Sequence, residues 1–211
     1  MRMVLSQTGW IFDGLTELEW LFLQRLPILV DELGADEGAR LRLFPDPVRE
    51  KEREAPEPTD PSDDEDGKNL IGDWKKYVKP ELETLFDEAR HLVAKDLEGA
   101  ERFVEEGGDD ERPEDLGEQV YYSLEVSGEH VEQWNSTLNQ ARLLMNEVHD
   151  LAESERMLAE GVMDLAGQEQ ESDDEGGRSR QAKAYPQWLL LAQYGFYGAV
   201  QSFLIERLMD V

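Results

Sequence analysis

The chain has 211 residues, of which 39 % are hydrophobic and 33 % charged, enough for one core of ordinary size. Its 49 acidic residues against 21 lysines and arginines give a net charge of −28, which excludes direct binding to nucleic-acid phosphates, since no basic patch exists to neutralise them. With no cysteine there are no disulfides, thiolate metal sites or cysteine nucleophiles, and a reducing, cytoplasmic setting is expected.

The N-terminus lacks a basic region followed by an apolar one: Arg2 is followed only by Met3, Val4 and Leu5, so no signal peptide is read. Residues Met1–Asp13 read as a β-hairpin. Two partly alternating runs flank Gln7, Thr8 and Gly9, where glycine suits a turn. Two strands alone are marginal in water, so the hairpin needs a third strand or a helix to lean on. Thr16 and Glu19 then form a capping-box pattern. The helix they open carries a buried stripe of Leu18, Leu21, Phe22, Leu26, Leu29, Val30 and Leu33 and stops near Gly34. Pro27 inside it predicts a kink or a break. Leu41–Asp46 leads into Pro45 and Pro47 and reads as a docked loop.

Acidic charge is concentrated in three segments, 50–67, 105–118 and 168–177, with net charges of −7, −7 and −5. They read as flexible, solvated insertions in a single helical domain spanning 1–211. Such clustering disfavours both a mimic of nucleic acid and a halophilic surface. Between the first two, Trp74, Tyr77, Val78, Leu82, Leu85, Phe86, Leu92, Val93 and Leu97 follow helical spacing, with Pro80 near the start and a run onward into Phe103 and Val104. Val120–Val126 alternates and is the candidate third strand. Ser127 is placed to cap a helix whose stripe is Val131, Trp134, Leu138, Ala141, Met145 and Val148, and a further helix is expected over 154–166.

The last long stretch, from Ala184 to Ile205, has no charge at all. Apolar or small residues on nearly every face predict a buried helix, with Gly195, Ala199 and Ser202 as a small-residue stripe. It is long enough to span a bilayer, which needs about 20 residues. Its three glutamines, three tyrosines, serine and proline favour a buried helix over a membrane span, because each buried polar group needs a partner.

Three pieces resemble a bacterial domain-of-unknown-function family, best represented in high-GC Gram-positive bacteria and often encoded beside the Clp protease adaptor ClpS. They are Leu41–Asp46, the tryptophan-bearing helix Glu129–Leu144 and the closing helix Tyr185–Leu208. The resemblance spans most of the chain outside the acidic insertions. The sequence departs from the family pattern in those insertions and at Gln140 followed by Ala141. The resemblance implies a fold and a connection with Clp-type proteolysis, not an activity.

Chemistry is sparse. Glu88 and His91 form one Glu-x-x-His pair, the ligand pattern of di-iron bundles, but Asn146 before His149 and Ser127 before His130 supply no second pair. His130 beside Glu129 reads as a helix-start residue, and His149 beside Asp150 lacks a Gly-x-Ser-x-Gly nucleophile motif. Neither phosphate-binding glycine loop occurs. Ser172–Glu175 lacks the ligand spacing of a calcium loop. Trp20 falls off the main face of the first helix and reads as an exposed partner anchor, with Phe44 in the Leu41–Pro47 segment as a second.

The expected fold is mainly α: four to five helices around a buried C-terminal helix, with a small N-terminal antiparallel β-element. The expected function is a non-enzymatic protein-interaction or regulatory module needing no cofactor, with Trp20 and Phe44 facing a protein partner. A metal-dependent helical-bundle enzyme using Glu88 and His91 is the alternative.

Overall fold

The computed structural model describes residues 1–35, 37–45, 71–105, 119–151 and 186–209. The helix expected over 154–166 and the three acidic insertions lie outside them, apart from residue 105. Among the described residues there are five α-helices and one four-stranded antiparallel sheet.

The hairpin forms as its spacing requires. Strand β1 (Arg2–Leu5) pairs with β2 (Gly9–Thr16) from Arg2 opposite Asp13 to Leu5 opposite Trp10. Ser6 closes the turn by accepting the backbone N–H groups of Thr8 and Gly9 at 3.2 and 3.0 Å. The third strand is β4 (Gln119–Ser127), which pairs with β2, as the alternation of Tyr122, Leu124 and Val126 suggests. Gly9 has to be glycine, because a Cβ there would sit 2.0 Å from the carbonyl oxygen of Val126. Further along, Asp13 and Gly14 together oppose a single residue of β4, and Gly14 takes φ +67°. This bulge shifts the pleat by one residue. Trp10, Phe12 and Leu15 therefore all face the core, where strict alternation would have turned Leu15 to solvent.

The fourth strand was hidden in the sequence. Phe103 and Val104 do not extend a helix. That helix ends at Leu97, Gly99 and Ala100 close a turn onto Asp96 and Leu97, and β3 (Glu101–Glu105) pairs with β4. The strand order is β1-β2-β4-β3. Phe103 finds Tyr121 at 5.9 Å between ring centroids, a cross-strand pair that no local periodicity could announce.

Helix α1 (Glu17–Gly34) opens with the expected capping box. Thr16 Oγ1 accepts from the Glu19 N–H, and the Glu19 carboxylate accepts from the Thr16 N–H at 2.9 Å. It is one continuous helix in spite of Pro27. A short α2 (Glu37–Leu43) follows and ends just before Phe44 and Pro45. A π-helical turn, Trp74–Val78, leads into α3 (Lys79–Leu97), where Pro80 occupies the first turn. Only the C-terminal half of α3 lies in the core, through Ala89, Val93 and Leu97; Tyr77, Val78 and Leu85 of the expected buried stripe are exposed. Ser127 caps the 3₁₀ turn Gly128–His130, which feeds α4 (Val131–His149). Asp150, in the left-handed conformation at φ 51°, ends α4.

Helix α4 touches α1, α2, α3 and α5, and supplies Trp134, Leu138, Ala141, Leu144 and Met145 to the core. The C-terminal helix α5 (Gln187–Met209) packs on α4 and α1 through Tyr194, Tyr197, Val200 and Leu204. Its buried polar groups are matched. The Tyr197 hydroxyl donates to the Phe22 carbonyl and accepts from Gln193 Nε2, both at 2.7 Å. Arg142 of α4 donates to Gln201 at 2.9 Å and stacks on the Tyr194 ring, fitting against Gly198. Gln201 in turn donates to Asn135 at 3.0 Å. Pairs of this kind account for Gln193, Tyr194, Tyr197 and Gln201 in an otherwise apolar stretch of the helix. No described helix is long and apolar enough to cross a membrane.

Candidate functional site

Helix α1 has two apolar faces. Trp20, Leu23, Leu26 and Val30 point inward, whereas Leu18, Leu21 and Ile28 recur on one outer row and are exposed, Ile28 by 54 %. Arg25 and Glu32 share that row and pair with each other at 3.1 Å. The neighbouring α5 meets α1 through Phe22 and Phe196, ring centroids 5.8 Å apart. It too keeps an outer face, with Trp188 51 % exposed and Ala192 and Ala199 open to solvent. Large apolar side chains set in rows on one side of a heavily charged chain are the feature most in need of a functional account.

The two residues expected to anchor a partner are placed otherwise. Trp20 is only 9 % exposed and stacks on Tyr122 of β4, centroids 5.0 Å apart. The sheet covers that side of the first turn of α1, which helical spacing alone could not reveal. Phe44 is 7 % exposed and packs on Phe86 of α3 at 5.4 Å. The sequence predicts a docked loop for its segment, but residues 41–43 are the last turn of α2, and only Phe44 and Pro45 beyond it are described. Neither ring is available to a partner without unpacking.

Glu88 and His91 both lie on the exposed side of α3. The His91 ring reaches back through Nδ1 to the carbonyl of Asp87 at 2.8 Å, a local helical contact. Among the described residues no three histidine or carboxylate side chains come together in a way that could hold a metal ion. Among the described residues the pair is not joined by the further ligands a di-iron site needs.

A polar cluster that the sequence did not announce joins the end of α3 to the start of α4. The Asp96 carboxylate accepts from Trp134 Nε1 at 2.9 Å and lies 3.0 Å from His130 Nδ1. With the carboxylate as acceptor, Nδ1 is the donor in this contact. Asp96 stands 34 and 38 positions from His130 and Trp134, so no local spacing could have linked it to them. Half of a catalytic triad looks like this, but so does a helix-joining staple. The indole donor, which fixes Asp96 from the core side, fits the staple.

Burial also governs the two displaced titrations. It pushes the Tyr197 phenol well above its ordinary value, and it lowers His149.

These features define a mainly α protein with a small antiparallel sheet, built for packing, whose surface carries apolar rows. The chain belongs to a family described as Domain of unknown function (DUF2017), which it matches over residues 6–208. No curated relative and no solved structure matches it.

Proposed function

We propose that this chain is a non-enzymatic protein-interaction module acting in the cytoplasm, and that its partner docks on the outer face of α1. The observation that carries this reading is the exposed row of Leu18, Leu21 and Ile28 in a chain where a third of the residues are charged. Apolar side chains in such a row cost solubility and gain burial only when another surface covers them. Trp188 near the start of α5 is a further large apolar side chain that is exposed, by 51 %. The first partner to test is a component of Clp-type proteolysis, on the strength of the resemblance in Leu41–Asp46 and the two later helices.

The test is co-elution of the purified chain with the ClpS adaptor or a Clp subunit, and affinity capture from lysate in parallel. Leu21→Asp with Ile28→Asp should abolish a stoichiometric complex while leaving the melting temperature within a few degrees, since about half of each residue's surface already faces water. A complex that survives the double substitution would refute docking on α1.

A further inference from the structure

The outer row of α1 has a definite spacing. Leu18, Leu21, Arg25, Ile28 and Glu32 follow one another at intervals of three, four, three and four residues. That alternation is the seam of a coiled coil, in which each helix lays its side chains into holes of the other. The row covers four turns, about 21 Å at 1.5 Å per residue, enough for two heptads of a facing helix. Its two polar members do not charge it. Arg25 and Glu32, one heptad apart, pair with each other at 3.1 Å.

The two edges of the seam differ. On one, Phe22 and Leu29 are buried, with Phe22 against Phe196 of α5. On the other stand Glu17, Gln24 and Asp31, again at heptad intervals and all exposed, with no lysine or arginine of α1 among them. Glu17 enters no ion pair among the described residues. Asp31 pairs with Arg90 of α3, but its side chain is 70 % exposed and that of Arg90 only 16 %, so the carboxylate rather than the guanidinium is presented to solvent. Residues flanking a coiled-coil seam choose the partner by charge, opposite signs attracting and like signs rejecting. The net charge of −28 acts in the same direction over the wider surface, and it disfavours a second copy of this chain as the occupant.

We infer that the α1 row is a helix-receiving seam, occupied by an amphipathic helix of a partner protein that carries leucine or isoleucine on its own seam and lysine or arginine on the edge beside Glu17 and Asp31. The inference rests on the reading of α1 as the docking face, and adds the secondary structure and the charge of what docks there.

The probe is a blocked, fluorescein-labelled peptide of about three heptads, with leucine at its seam positions and lysine on both flanks. It is titrated into the full chain and followed by anisotropy at about 150 mM salt, where long-range attraction is screened. A twin peptide with glutamate on both flanks is the control. Expected are saturable one-to-one binding of the lysine peptide, about tenfold weaker binding of the glutamate peptide, and loss of both in Leu21→Asp with Ile28→Asp. Glu17→Gln and Asp31→Asn should each weaken the lysine peptide about two- to fivefold, the effect of losing one exposed ion pair. Glu17→Lys, at an exposed position, should weaken it further and strengthen the glutamate peptide. Glu132→Gln, an exposed acid in the first turn of α4, should change nothing. Equal binding of the two peptides, binding that survives the seam substitutions, equal loss in Glu132→Gln, or no binding of the lysine peptide would each overturn the inference. A cellular partner released by the seam substitutions but indifferent to Glu17→Lys would keep α1 as the docking face and sink only its basic occupant.

Discussion

Tyr197 shows how one residue can carry a large share of a helix interface. Its ring is fully buried, and its hydroxyl both donates to the Phe22 carbonyl and accepts from Gln193. Tyr197→Phe leaves the buried Gln193 amide unpaired and removes one of the bonds to the Phe22 carbonyl, so a loss of about 1–3 kcal/mol is expected in chemical denaturation. The phenol is raised in the folded state above its ordinary 10.0, so its contribution is complete below that pH and is lost as pH rises beyond it. The wild type should therefore lose stability above pH 10 more steeply than Tyr197→Phe, which thermal melts across that range would read. Trp20 behaves as a core residue for the same reason of placement. Trp20→Ala should cost about 3 kcal/mol through the cavity left against Tyr122, lowering the melting temperature rather than selectively removing a partner. A variant that melts like wild type would contradict the burial of Trp20.

At the scale of elements, the sheet determines how the helices are placed. The bulge at Asp13 and Gly14 brings Leu15 to the core side, and Thr16 directly caps α1, so strand and helix share one rigid corner. Strand β3 and strand β4 flank the second acidic segment, and Glu105 already stands opposite Gln119 in the ladder. Replacing 106–118 by a four-residue turn containing Asn-Gly should then preserve the fold. It should raise stability by about 1 kcal/mol, since loop closure costs roughly 0.6 kcal/mol per doubling of length. Loss of the near-native circular dichroism spectrum in that variant would show that the segment is needed to hold the strands together. Asp96 links the end of α3 to the start of α4, and Arg90 links α3 to α1 and α4. Polar ties of this sort fix the mutual register of helices whose apolar stripes alone would allow sliding.

For the whole molecule, charge is the dominant condition-dependent quantity. A net −28 repels itself, and salt screens that repulsion over about 10 Å at 0.1 M. The melting temperature should rise as sodium chloride is raised from about 10 mM to about 150 mM. A flat or falling dependence would mean that local ion pairs such as Arg40–Glu83 outweigh the global field. Against that charge, the outer row of α1, whose Arg25 and Glu32 pair with each other, is a surface that a partner can approach with little like-charge penalty.

Much of the architecture followed from local rules. The capping box at Thr16, the stop at Gly34 and the helical stripe from Val131 depend on residues within a few positions of one another and are found as read, except that Val148 at the end of the stripe is exposed and Gly9, expected in the turn, is the first residue of β2. The expectations that needed correction involve long-range neighbours. Phe103 and Val104 look helical until β4 offers a ladder. Trp20 looks exposed until Tyr122 covers it, and Phe44 until Phe86 does. The exposed row of α1 also reads as core in the sequence, because Leu18 and Leu21 share helical spacing with Leu26 and Leu29; only the packing of β4, α4 and α5 decides which apolar side has a partner. Sequence by itself thus determined most of the helices and the strands β1, β2 and β4, though not β3 or α2, because capping, turn chemistry and periodicity act within a turn or two of chain. The tertiary structure alone decided which apolar and ionisable groups meet, because burial and ion pairing depend on distances in space that sequence separation does not encode.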